Sequence, residues 1–249
     1  MENLKAVIWD VDGTLADTEM NGHRLAFNKA FKDNGLAWEW NEEIYAKLLG
    51  VSGGKNRILK YSYDSKDFLS LEFAEKLHKQ KQEHYINIIK QTPIPLRTGV
   101  KEIVTELNSA SIVQCIVTTS SLNSLIPLME SSLSELRNYF SFMVTYEDVL
   151  NHKPHPEAYL LALSKIPFPK ANCLVIEDSV IGLQSSSQAD ITTLVTLSPW
   201  LNTVSEKFKP AKAVVKSLGD SSMPSKVYKG PSIRGGIVNL EYLDQLVRN

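Results

Sequence analysis

The sequence predicts an α/β fold: a doubly wound parallel sheet with an all-helical domain inserted just after its first strand. Three observations predict it. A short apolar run, Ala6-Val7-Ile8-Trp9, lies near the start and ends in carboxylates and a glycine. The stretch from about Thr18 to Gln91 contains no strand-like run. Beyond the punctuated segment 92–99, with Pro93, Pro95 and Gly99, helical patterns alternate with apolar runs, the arrangement that builds parallel sheets.

Taken in order, the first run reads as a buried strand bounded by turn chemistry. Within the insert, Leu25, Ala26, Lys29 and Ala30 suit an amphipathic helix that stops near Asn34-Gly35, a left-handed-compatible end. Trp38 and Trp40 read as insert core. Helical segments follow through Leu49 and from about Lys55 to Tyr61. A long helix is expected from about Asp67 to Lys90, with Leu71, Ala74, Leu77, His78 and Ile88 along one face. The domain boundaries therefore fall at 1–17 with 92–249, and at 18–91.

In the second segment Val100, Ile103, Val104 and Leu107 trace a helix face. Strands are expected at 112–117, 142–145, 173–176, 192–196 and 213–215. Residues 229–231 and 235–236 read as loop, and Leu240, Leu243 and Val247 as a closing helix. No internal repeat is evident.

The 249 residues, 43% hydrophobic and 22% charged, suit a soluble globular chain with a sizeable core. A net charge of −1 gives no footprint for nucleic acid, and no apolar run approaches the ~20 residues that span a bilayer. Because the strand begins so early, no signal or transit segment is expected, and a cytoplasmic or stromal-type monomer is. Cys115 and Cys173 lie in apolar runs and read as two buried thiols.

Chemistry-bearing residues gather where strands end, which is where ligands bind in open α/β sheets. Asp10 and Asp12 leave the first strand two residues apart, so they point to one side. Like charges placed so repel unless a cation or a proton intervenes. A polar turn is the bland alternative. After Val117 come Thr118, Thr119 and Ser120, where a hydroxyl and the N–H groups entering a helix suit an anion, or simply cap that helix. Lys153-Pro154 opens another helix, and its ammonium suits a carboxylate or phosphate partner. Glu177 and Asp178 end the strand at 173–176 and add the oxygen donors that magnesium prefers.

Asp10-x-Asp12-Gly13-Thr14-Leu15, Thr118, Lys153-Pro154 and Glu177-Asp178-Ser179-x-x-Gly182, in that order, resemble the signature of the haloacid dehalogenase-like hydrolases. The resemblance implies a Rossmann-like core with an inserted helical cap. It implies Asp10 as nucleophile, Asp12 as general acid/base, and Thr118 and Lys153 as phosphate and charge partners. It also implies Mg2+ at Asp10, Asp12, Glu177 and Asp178. The run Gln184-Ser185-Ser186-Ser187-Gln188-Ala189-Asp190 departs from the family's alanines and glycine. Serine keeps that helix small, and aspartate tolerates a left-handed turn.

The insert's position resembles the branch that includes β-phosphoglucomutase. Asp17-Thr18-Glu19, Gly22-His23-Arg24, Trp38-Glu39-Trp40 and Gly53-Gly54-Lys55-Asn56-Arg57 further resemble CbbY-type proteins. That likeness implies a small phosphorylated sugar, xylulose-1,5-bisphosphate, as substrate. Glu19, His23, Gly53, Gly54, Lys55, Arg57, Thr119 and Ser120 are the substrate-binding candidates. Gly53-Gly54 lets backbone approach an anion, and Lys55 and Arg57 suit a second phosphate, with solvated basic side chains as the alternative. A phosphomutase, or a non-catalytic phosphosugar-binding protein, would share much of this pattern.

Overall fold

The computed structural model describes residues 3–51, 53–201 and 204–248. The chain divides into two compact units, Met1–Asp17 with Pro95–Asn249, and Thr18–Ile94, so the return to the first unit falls at Pro95 rather than Thr92.

The first unit is a seven-stranded sheet in the order β3-β2-β1-β4-β5-β6-β7. Its strands are β1 (Ala6–Trp9), β2 (Val113–Val117), β3 (Met143–Val144), β4 (Cys173–Glu177), β5 (Thr192–Thr196), β6 (Ala213–Val215) and β7 (Val227–Lys229). The first six run parallel; β7 pairs antiparallel with β6 on the edge. That last strand was not expected, and its final residue, Lys229, falls where the sequence reads as loop. It has three residues, its side chains are largely exposed, and it carries none of the apolar run that marks the others.

In the second unit the helices are α1 (Arg24–Asp33), α2 (Glu42–Leu48), α3 (Gly54–Asp64) and α4 (Leu71–Gln91), preceded by a π-helical turn at Glu19–His23. No strand occurs there among the described residues. The long helix starts at Leu71, not near Asp67, because Ser70 caps it, accepting from Phe73 N at 3.1 Å, and Phe68 sits at φ +46°. Trp40 is fully buried against Phe27 and Phe31, with centroids 4.7 and 4.8 Å away, whereas Trp38 lies at the rim of this aromatic core.

The first unit adds α5 (Val100–Ser109), α6 (Leu122–Glu130), α7 (Glu157–Lys165), α8 (Val180–Gln188) and α9 (Leu240–Arg248). Helix α7 covers one face of the sheet, where Ile8, Cys115, Val117, Val175, Ala158, Tyr159 and Ala162 form one apolar cluster. Both cysteines are free thiols, and burial pushes Cys115 up to about 12 and Cys173 to about 11. Asp190 takes the left-handed turn expected of it, φ +57°, and the serines of α8 are accommodated: Ser185 donates to His155 O at 2.7 Å and Ser186 meets Thr193 at 2.7 Å.

β1 is the topological hinge of the sheet. The chain leaves it toward β2 and β3 on one side, then returns to build β4, β5 and β6 on the other. Trp9 is in register with both Ile116 and Ile176. The residues that follow these three positions therefore emerge side by side, at the switch point where a ligand crevice forms.

Candidate active site

The register of β1, β2 and β4 brings Asp10, Thr118, Glu177 and Asp178 to one end of the sheet, and the loop before α7 adds Lys153. The Lys153 ammonium, 4% exposed, lies 2.9 Å from Asp10 Oδ1, 2.7 Å from Glu177 Oε1 and 2.9 Å from the Val117 carbonyl. Asp10, Glu177 and Asp178 are buried, and one carboxylate oxygen of each lies within 4.8 Å of the other two.

Three carboxylates around one ammonium leave an excess of buried negative charge. Burial first, then Glu177, push Asp10 up to about 7 against the pull of Lys153. Burial, with Asp10 and Glu177 beside it, holds Asp178 well above the usual carboxylate range. The same two acids hold Lys153 well above an ordinary lysine, outweighing its own desolvation. An all-oxygen donor set with this surplus of charge suits a hard divalent cation such as Mg2+. Gly13 shapes the same place: with φ +86°, a Cβ there would stand 2.2 Å from Asp178 Oδ2, so only glycine leaves this carboxylate its position.

Asp12 is placed differently from the other three acids. Its Oδ2 accepts from Ser120 Oγ at 2.6 Å and stands 3.4 Å from Thr118 Oγ1, so this oxygen meets the end of β2. Asp10 and Asp12 share a strand end, and Asp12 is near enough to help push Asp10 up. The alternative reading of Thr118 as a helix cap does not hold. Ser121 caps α6, accepting from Ser124 N, while Thr118 Oγ1 accepts from Ser120 N at 3.0 Å. Thr118 is buried and Thr119 exposed.

The remaining expected residues belong to the cap. Glu19 Oε2 accepts from Tyr45 OH at 2.5 Å, and Arg57 lies 3.9 Å from Glu19 Oε1 and donates to Val51 O at 2.9 Å. Lys55 pairs with Glu75 at 2.8 Å. His23 is buried, stacked on Tyr85 with centroids 3.8 Å apart, its Nδ1 2.8 Å from Lys81 Nζ. An ammonium only donates, so Nδ1 accepts and the ring proton sits on Nε2. Gly53 precedes α3 at φ +84°, and Gly54 packs where a Cβ would meet His78 at 2.7 Å and Phe27 at 3.1 Å. The cap thus gathers Arg57, Lys55, Lys81, His23 and His78 at the start of α3 and its neighbours. Burial and the surrounding cations push His78 down to about 4.

Four core residues complete the site without having been expected. Tyr159 OH donates to Glu177 Oε1 at 2.8 Å, and Ser198 Oγ donates to Asp178 Oδ2. Ser179 Oγ donates to Glu177 Oε2 at 3.2 Å while capping α8. The buried Arg97 guanidinium donates to the carbonyls of Gly13, Thr196, Leu197 and Lys216, tying the loop after β1 to the ends of β5 and β6. Ser179 stood within a recognised motif; Tyr159 looked like one more residue of an apolar helix face. Ser198 and Arg97 carried no signal, since each acts through backbone or a neighbour distant in sequence.

A model of the family described as haloacid dehalogenase-like hydrolase matches residues 7–196. A plasmid-borne CbbY protein of Cupriavidus necator is 34% identical over 227 residues, 89% of this chain and 88% of that protein. A CBBY-like protein of Arabidopsis thaliana is 32% identical over 86% of this chain and 69% of its own length. Among solved structures, CbbY from Rhodobacter sphaeroides in complex with phosphate matches with a TM-score of 0.77 at 30% identity, covering 86% of this chain and 94% of that one. A mutant of that protein in complex with xylulose-(1,5)bisphosphate matches equally. With its carboxylates and lysine at the switch point of such a sheet, the chain belongs to the haloacid dehalogenase-like hydrolases and, within them, to the CbbY-type proteins.

Proposed function

We propose that this protein is a Mg2+-dependent phosphatase of small phosphorylated sugars, that its substrate is a pentulose bisphosphate, xylulose-1,5-bisphosphate, and that it works through an aspartyl-phosphate on Asp10. The observation that carries the reading is the buried group of Asp10, Lys153, Glu177 and Asp178. Relatives support the substrate class. A Thermotoga maritima protein similar to this chain is a phosphorylated carbohydrates phosphatase, and the Rhodobacter sphaeroides CbbY complex holds xylulose bisphosphate.

In this reading Asp10 and Asp178 would hold Mg2+, which when bound would offset the charge of the phosphoryl oxygens. Lys153 favours the ionised form of Asp10 and aligns it for attack on phosphorus. Thr118 and Ser120, with the N–H groups that follow, receive phosphoryl oxygens. As the phosphorus–oxygen bond to the sugar breaks, Asp12 gives its proton to the leaving oxygen. Asp12, now a base, takes a proton from the water that hydrolyses the aspartyl-phosphate and frees Asp10. In the cap, Lys55 and Arg57 receive the second phosphate, Gly53 and Gly54 offer backbone to it, and Glu19 and His23 address sugar hydroxyls.

Phosphate release from a panel of sugar mono- and bisphosphates, with Mg2+ and then with a chelator, tests the reading. Selective release from xylulose-1,5-bisphosphate, abolished by the chelator and restored by excess Mg2+, is expected. Release indifferent to the chelator would overturn the metal requirement. Isomerised sugar phosphate without free phosphate would overturn the hydrolase in favour of a mutase.

A further inference from the structure

Glu177 is the most enclosed of the acids in the core site, with no exposed surface. Oε1 accepts from Lys153 Nζ at 2.7 Å and from Tyr159 OH at 2.8 Å. Oε2 accepts from Asp178 N at 3.1 Å, Ser179 Oγ at 3.2 Å and Ser179 N at 3.4 Å. A carboxylate offers about four lone-pair sites, and five donors already converge on this one. Both oxygens also lie against the first turn of α8: a Cβ on Gly182 would stand 1.9 Å from Oε1 and 2.0 Å from Oε2. The exposed N–H groups and dipole of a helix start favour a negative group held there.

Asp178 and Asp10 contrast with it. Among the described residues the Asp178 carboxylate accepts one hydrogen bond, from Ser198 Oγ on Oδ2, and the Asp10 carboxylate one, from Lys153 on Oδ1. Each keeps acceptor capacity that Glu177 has spent.

Tyr159 is the second part of the observation. Its ring belongs to the apolar cluster under α7, a place a phenylalanine would fill equally well. A buried hydroxyl is costly unless it is bonded, and this one's partner is Glu177. The ring also faces the Lys153 ammonium, 5.0 Å from centroid to Nζ. One side chain therefore contacts both members of the Glu177–Lys153 pair.

We propose that Glu177 is a positioning residue that clamps the Lys153 ammonium against Asp10 rather than ligating the metal ion, and that Tyr159 is the positioning residue that holds Glu177 in this clamp. The inference deepens the phosphatase reading and rests on it. It divides the two adjacent acids at the end of β4 by role: Asp178 serves the metal, Glu177 serves the lysine.

The test compares Glu177→Gln, Tyr159→Phe and Asp178→Asn with the wild type in two readouts. The first is Mn2+ binding without substrate, followed by the electron paramagnetic resonance of the free ion. The second is kcat and KM for phosphate release with Mg2+. Glu177→Gln and Tyr159→Phe are expected to bind Mn2+ within about fivefold of wild type, while Asp178→Asn weakens binding about 100-fold. Tyr159→Phe should lower kcat about tenfold with KM within about twofold, and Glu177→Gln should lower kcat about 100-fold. Glu177→Gln losing Mn2+ as Asp178→Asn does would overturn the clamp and make Glu177 a ligand. Unchanged kcat in Tyr159→Phe would overturn the role of the tyrosine. Should Glu177→Gln fail to fold, Tyr159→Phe, which keeps the core ring, carries the same test. Failure of the phosphatase reading has a different signature, a wild type that releases no phosphate with Mg2+, and the Mn2+ comparison still decides between clamp and ligand.

Discussion

The core site and the cap both pair cations with acids and carbonyls, but the core lysine is buried whereas Lys55 of the cap is 39% exposed. In the core, Lys153 draws on Asp10 and Glu177, residues 143 and 24 positions away, together with a carbonyl of a third strand. In the cap, Lys55 pairs with Glu75, and Arg57 with Glu19 and a carbonyl six residues back. The core arrangement exists only because parallel strands end side by side, and it leaves acids in surplus. In the cap, Lys81 stands 2.8 Å from His23 Nδ1, and His78 packs against Gly54 with these groups near enough to disfavour its charged form. An acid-rich place suits a metal ion.

The largest effect expected is at Asp10. Asp10→Asn should lower phosphate release by about 10⁴-fold or more while circular dichroism shows an intact fold. Retained turnover in a folded variant would remove the distinction between a chemical core and a selective cap. The cap side is sharpened by Lys55→Ala and Arg57→Ala. Each should raise KM for a bisphosphate about tenfold and leave a sugar monophosphate nearly unaffected. Equal effects on both substrates would mean that these cations serve cap structure, through Glu75 and Glu19, and not the second phosphate.

The smallest effect lies in pH-dependent stability, and it has opposite signs in the two units. Asp10 has a folded pKa of about 7, above its ordinary 3.8. The folded state therefore binds the extra proton, and its contribution to stability is lost as pH rises from about 4 to about 7. His78 sits at about 4, below its ordinary 6.5, so its contribution is lost as pH falls through that interval. Thermal melts in chelator across pH 4–8 should show the first slope vanish in Asp10→Asn and the second in His78→Gln. Slopes unchanged by either substitution would count against both assignments.

How legible each region was follows from the range of its interactions. The strands that carry the motifs are apolar runs with turn chemistry at their ends, a local signal, and they were read within a residue or two. The end of α1 at Asn34-Gly35 and the left-handed Asp190 were legible for the same reason. The helix expected from Asp67 starts at Leu71 because a serine cap outcompeted an apolar periodicity that continues past it. The edge strand β7 has no pattern of its own, since it exists by pairing with β6. Tyr159 and Ser198 escaped notice because a hydroxyl on an apolar helix or after a strand means nothing until its partner is in place.

By itself the sequence determined the fold class, the order of the motifs and the residue types at the strand ends, because hydrophobic period and turn chemistry are local. It also determined that Asp10, Thr118, Glu177 and Asp178 would emerge at one end of a sheet, because parallel strands share a direction. Only the tertiary structure decided how those residues divide their work. The register of β1 with β2 and β4 set Asp10 beside Glu177 and Asp12 beside Ser120, and the loop before α7 put Lys153 between Asp10 and Glu177. The fold also filled every acceptor site of Glu177 while sparing Asp178. Hydrogen-bond saturation depends on distances between groups far apart in the chain, and no spacing along a sequence encodes it.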